Sequence, residues 1–280
     1  MKRWKPKLQK GISTLFGLIL TVLFVMLFLG SVGYTGVFNN RSITGSMNKS
    51  EYFNKLHKVI LENTEKIVTE AGLPETVLSE VITLQRVYIS GSYFASNTLN
   101  GETAQIKSEN IEKELKSNIN QFIISKGMNL TEERKANIEA VTDAVVKEYS
   151  DRISLEYFNA LHQQKLQYNR IMIILLPILI ASIAVLCFFL IRMQRHIHRG
   201  LRYITYALTA SSLLTIFCSL GLLIGKPYLR LDIPTEYYRD FINACLQWDI
   251  EVLLFTGGLG FTISVALIAL TGYLKNNIME

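Results

Sequence analysis

Cysteine is scarce in this 280-residue chain: Cys187, Cys218 and Cys245 are the three present. They are too few and too scattered for a disulfide framework, and no Cys/His spacing matches a structural metal site. Proline is rarer than average, with five residues, and there is no short-period repeat or low-complexity tract. A disordered or solenoid chain is therefore not expected. The most informative deficit is of charge. Ile12 to Phe38, Ile171 to Ile191, Tyr203 to Gly225 and Val252 to Leu274 contain no Asp, Glu, Lys or Arg. Each block exceeds 20 residues, and a helix rising about 1.5 Å per residue then crosses a hydrocarbon core of about 30 Å. Four such blocks predict a four-span membrane protein. Ion- and proton-coupled carriers ordinarily keep an ionisable side chain inside the bilayer, where it is costly, so that class is not expected, nor is a channel formed by this chain alone.

Carboxylates are missing from two short basic segments. Lys2, Arg3, Lys5, Lys7 and Lys10 precede the first block, and Arg192, Arg195, Arg199 and Arg202 lie between the second and third. These segments exceed the formal net charge of +6, because residues 39–170 hold 16 basic and 17 acidic side chains and residues 226–251 hold 3 and 5. Basic residues beside spans orient a protein in the membrane, so no nucleic-acid partner is expected. The positive-inside rule places residues 1–11, the 192–202 loop and the 275–280 tail in the cytoplasm, with 39–170 and 226–251 outside it. The expected location is the plasma membrane, multi-pass, with both termini cytoplasmic. The four loop arginines face anionic headgroups or couple to a partner protein. The first block also resembles a secretory signal ending near Ser31-Val32-Gly33, but its apolar run from Leu15 to Leu29 exceeds the usual signal core, so an uncleaved anchor is expected.

Residues 47–170 read as amphipathic helices. Tyr52, Phe53, Leu56, Val59, Ile60, Ile67 and Val68 recur at helical spacing up to Ala71-Gly72. A second run from Pro74 carries Val77, Leu78, Val81, Ile82, Tyr88 and Ile89 to a turn at Asn97 to Gly101. A third starts with Ser108 as its cap and stops at Gly127; a fourth starts at Thr131, with Glu132 and Glu133 favouring the dipole of its first turn. A break near Ser150 or Ser154 precedes Tyr157, Phe158 and Leu161, which lead into the second span. Stripes of this kind must bury one another, which predicts an antiparallel bundle. In the 226–251 loop, Tyr237, Tyr238, Phe241, Ile242, Cys245 and Leu246 follow Pro234 and Thr235 as a short amphipathic helix. It suits the membrane interface or a place under the bundle.

Within the spans, Ala207, Ser211, Thr215 and Ser219 recur every four residues, followed by Gly221 and Gly225; Gly257, Gly258, Gly260 and Ser264 cluster in the fourth. Small residues at this spacing let helix backbones approach, either within this chain or against a partner. Pro177 removes one backbone hydrogen bond from the second span and is expected to bend it. His196 and His198 lack a nearby Cys or carboxylate and are surrounded by arginine, so no metal is expected there. No nucleophile elbow or HExxH accompanies His57 or His162.

The expected fold is thus an all-α membrane protein with four transmembrane helices and an extracytoplasmic helical bundle between the first and second spans. The expected role is non-enzymatic, without catalytic residues, cofactor or metal: an interaction or sensing component whose outer domain binds a protein or envelope partner. Its other expected partners are the lipid bilayer, further membrane proteins, a second copy of the chain or a cytoplasmic ATPase. The last would make it a permease-like or accessory subunit of an ABC-type export complex. One span, an outer bundle and a second span is also the layout of many bacterial sensors, and layout does not fix function.

Overall fold

The computed structural model describes residues 6–36, 38–127, 131–154, 156–194 and 196–277. Arg195, most of the basic N-terminus and the last three residues lie outside the described residues. The described residues are all-helical, without strands: α1 (Pro6–Thr35), α2 (Asn40–Lys49), α3 (Tyr52–Glu70), α4 (Leu84–Asn100), α5 (Glu109–Ser125), α6 (Glu132–Ile153), α7 (Glu156–Met193), α8 (Ile197–Gly225) and α9 (Glu236–Asn277), with 3-10 turns at Glu75–Leu78 and Pro227–Arg230. Four helices, α1, α7, α8 and α9, are long and apolar enough to cross a membrane. The chain divides into two compact units. The first comprises Met1–Ile43, Leu166–Asp232 and Asn243–Glu280; the second comprises Thr44–Lys165 and Ile233–Ile242.

In the second unit, α3 buries Leu56, Ile60 and Val68, α5 buries Leu115 and Ile119, and α6 buries Val145 and Tyr149. Apart from Tyr149, these belong to the helical stripes that periodicity predicts. The ends of the helices follow local chemistry. Gly72, Gly101 and Gly127 take the left-handed conformation that closes a helix, and the Thr83 and Thr131 hydroxyls accept from the backbone N–H of Arg86 and Arg134 at 3.3 and 3.4 Å. Ser108 precedes α5 but makes no capping bond through its side chain.

The run from Pro74 to Gly101 is not one helix. A 3-10 turn and an extended Ser79 lead to Glu80 in the left-handed region before α4 starts. Val77, Leu78, Val81 and Ile82 are buried from this irregular segment, and burial without helix mimics a helical stripe in sequence. Side chains replace the missing helical bonds: Asn118 Nδ2 donates to the carbonyls of Val77 and Ser79, and Arg86 Nη1 donates to that of Val81 at 2.9 Å. α2 starts at Asn40, ahead of the helical reading that begins at residue 47. The short helix at Tyr237 is the start of α9, which continues for 42 residues. α7 likewise runs through Pro177 to Met193.

In the first unit, Leu20, Leu190, Ile204 and Ala207 form a buried cluster, while Phe217, Ile224, Ile173 and Phe255 are exposed. An apolar surface of this kind is suited to hydrocarbon.

Candidate functional site

One candidate site lies in the second unit. The first turn of α9 is pinned to α3 there: Tyr52 packs edge-on to Tyr237 with ring centroids 5.6 Å apart and tilted against Phe241 at 5.4 Å. Lys55, one turn along α3, donates to the Asp240 carboxylate. That hydrogen bond holds the Lys55 ammonium above its usual pKa, while burial, reinforced by Tyr237 and Tyr238, raises the Tyr52 phenol. Tyr52 is therefore neutral and Lys55 charged at any physiological pH.

Beside this contact opens a cavity of about 740 Å³, bounded by Phe94, Asp151, Ser154, Tyr157, Asn159, Thr235, Tyr237 and Tyr238. Its floor is aromatic. Phe94 and Tyr237 are buried, and Tyr157 and Tyr238 are half-buried and stand edge to face at 5.1 Å. Its rim is polar, with Asp151 and Asn159 exposed. An open site of this size with aromatic and polar groups in similar measure offers a surface on which a ligand could be held. The rings offer faces and edges for stacking; Asp151, Asn159 and Thr235 offer hydrogen bonds. Among the described residues, no group of three His, Cys, Asp or Glu side chains is arranged to hold a metal.

The small residues singled out from sequence fall into two groups. Ala207, Ser211, Thr215, Ser219 and Ser264 are buried. The hydroxyls of Ser211, Thr215 and Ser219 donate to backbone carbonyls of their own helix at 2.8–2.9 Å, so these residues contribute small size and not bonds to another helix. Opposite them, a Cβ on Gly257 would stand 3.2 Å from Thr215 Cγ2, and one on Gly260 would stand 2.6 Å from Ser212 Oγ and 2.5 Å from Phe28 Cζ. Gly221, Gly225 and Gly258 have no described neighbour within 4 Å of a Cβ position.

The α7–α8 turn is shorter than the 192–202 loop, because α7 reaches Met193 and α8 starts at Ile197. Arg192, Arg199 and Arg202 are exposed on its flanks. The N-terminal end of α1 is tied to this turn: Gln9 Nε2 donates to the Met193 carbonyl at 2.5 Å and Gln194 Nε2 to Ser13 Oγ at 2.8 Å. His196 and His198 stack with ring centroids 5.4 Å apart.

Three close approaches, two on α1 and one at the turn just after it, escaped the sequence reading. Met172 Cε lies 2.8 Å from a Cβ position on Gly30, Tyr168 occupies the Cβ position of Gly33, and the Asp249 carboxylate occupies that of Gly36. The Tyr168 hydroxyl donates to the Gly30 carbonyl. A usable signal was present, since Gly30, Gly33 and Gly36 recur every three residues and thus share a face. The 235–241 segment could be read as a helix, but its place in the aromatic cluster could not. Compared with known protein families, curated proteins and solved structures, the chain shows no match to any of them.

Proposed function

We propose that this chain is a multi-pass, non-enzymatic protein of the plasma membrane whose helical second unit lies outside the cytoplasm, where it binds a protein or envelope component and reports its presence to the spans. The observation that carries this reading is the aromatic cavity. Its walls come from both long connections between the candidate spans, 39–170 and 226–251. A ligand seated there touches Tyr157 in the first turn of α7 and Tyr237 and Tyr238 in the first turn of α9, helices that continue as candidate spans. A ligand that favours one arrangement of those turns shifts the population of the helices they begin. The orientation is supported by the bonds from Gln9 and Gln194, which bring the neighbours of Lys10 on α1 beside the turn that follows Arg192, so that basic residues of both segments share one end of the first unit, as the positive-inside rule requires.

The test is site-directed photocrosslinking in the native membrane, with a benzophenone amino acid in place of Asn159 at the cavity rim. The reading expects an adduct with an envelope or membrane component that is lost when Tyr238→Ala is added. An adduct unchanged by Tyr238→Ala contradicts it. A cytoplasmic ATPase that co-purifies with the chain would instead favour a subunit of an ABC-type export complex.

A further inference from the structure

A second cavity, of about 600 Å³, lies within the first unit among α1, α7, α8 and α9. Its lining runs from Phe24 to Thr35 on α1 and from Thr256 to Leu267 on α9, and is apolar apart from the hydroxyls at one end. Each stretch rises about 16 Å, roughly half of a hydrocarbon core of about 30 Å. The slot is therefore one leaflet deep. Tyr34, Leu259 and Ile263 line it and are also exposed, so its mouth is on the outer surface of these helices.

The end carrying Thr35 and Thr256 has an acidic terminus. Gly36 follows Thr35 and receives the Asp249 carboxylate at the place where any other residue would carry its Cβ. Asp249 precedes Thr256 by seven residues, two turns of α9, and so continues the cavity's face of that helix beyond the residues that line it. Its Oδ1 is buried and has no hydrogen-bond partner among the described residues. A carboxyl oxygen without a donor at the edge of a membrane is costly to keep ionised, and a cation within reach offsets that cost.

The geometry points to a binding site for a phospholipid with an ammonium headgroup, of the phosphatidylethanolamine class, with one acyl chain in the slot and the ammonium on Asp249. This goes beyond the proposed function, which concerns the other unit. The chain supplies fit but little selectivity, because bulk lipid is as apolar as the slot. Selectivity comes from the charge-assisted hydrogen bond between ammonium and carboxylate.

The experiment uses the full-length protein, purified in detergent and stripped of lipid. It is titrated with palmitoyl-oleoyl phosphatidylethanolamine or with the phosphatidylglycerol of the same chains, and bound lipid is read by native mass spectrometry. Wild type binds the ethanolamine lipid about tenfold more tightly, the usual scale of one hydrogen bond to a charged group. Asp249→Asn reduces that binding to the phosphatidylglycerol level, and Thr256→Trp, which fills the slot, weakens both lipids. N-acetylated phosphatidylethanolamine, which lacks the positive charge, binds wild type as weakly as phosphatidylglycerol and asks the same question without altering the protein. Equal binding of the two lipids by wild type, tight binding of the N-acetylated lipid, or unchanged binding to Thr256→Trp would overturn the assignment.

Discussion

In the second unit the residues without exposed surface include Ile60, Leu115 and Val145, whereas in the first they include Ser211, Ser212, Ser219 and Ser264. The outer surfaces are reversed in the same way. The second unit displays ion pairs such as Lys58 with Glu62 and Lys135 with Glu132; the first displays Phe217, 67% exposed, and Ile224, 81% exposed. One chain thus follows two packing rules. Water drives large apolar side chains inward, while hydrocarbon, as apolar as leucine, leaves close approach and satisfied backbone as the reasons to pack. Beside Leu20 and Leu190, the first unit thus buries a run of small residues on α8, where the second buries mostly large apolar ones.

Substitutions of equal size should therefore have unequal effects. Leu115→Ala, deep in the second unit, is expected to cost about 2–5 kcal/mol through lost burial and a cavity. Phe217→Ala, exposed on α8, is expected to change stability by no more than about 0.5 kcal/mol, since its ring leaves one apolar surrounding for another. Denaturant unfolding in a mild detergent compares them, and equal losses would break the contrast.

The small-residue rule is sharpened by adding bulk. Gly33→Leu forces Tyr168 out of the space it fills and is expected to cost about 1–3 kcal/mol, the usual scale of overpacking. Gly258→Leu meets open space and should leave the midpoint of thermal aggregation in detergent unchanged.

Ion pairs give the smallest effect, and one confined to the second unit. Arg86 grips Glu114 with two N–H···O contacts of 2.6 Å, and this hydrogen bonding lowers the Glu114 carboxyl below its ordinary 4.5. A lowered folded-state pKa contributes stability that is complete above the ordinary value and lost as pH falls through the folded one. The Glu114 side chain is 43% exposed, so screening limits the gain to less than about 1 kcal/mol. Glu114→Gln should therefore lower the unfolding midpoint slightly at pH 7, and the difference should shrink as pH falls below 4.5. Lys55 has the opposite sign: its raised pKa contributes fully below 10.5 and is lost as pH rises through the higher folded value.

Much of this contrast was legible in the sequence, because uncharged runs and helical periodicity are local properties. The four candidate spans, the ends of α3 at Gly72 and α5 at Gly127, and the cap at Thr131 all follow from neighbouring residues. What escaped was non-local or cooperative. Val77 to Ile82 carry a helix-like stripe yet form a turn, because Asn118 and Arg86 satisfy the backbone from other helices. α9 absorbs the expected short helix because no glycine or proline stops it between Tyr237 and the fourth span. Neither the aromatic cavity nor the Gly36–Asp249 contact has a local signature, since each joins residues far apart in the chain.

Cysteine accessibility tests the account most directly. With Cys187, Cys218 and Cys245 replaced by alanine, single cysteines at Lys113 and Arg199, both exposed, are challenged with a membrane-impermeant maleimide. The proposed topology predicts that Lys113→Cys is labelled in intact cells and Arg199→Cys only after lysis. Labelling of Arg199→Cys in intact cells with protection of Lys113→Cys, or a chain that stays in solution without detergent, would contradict it.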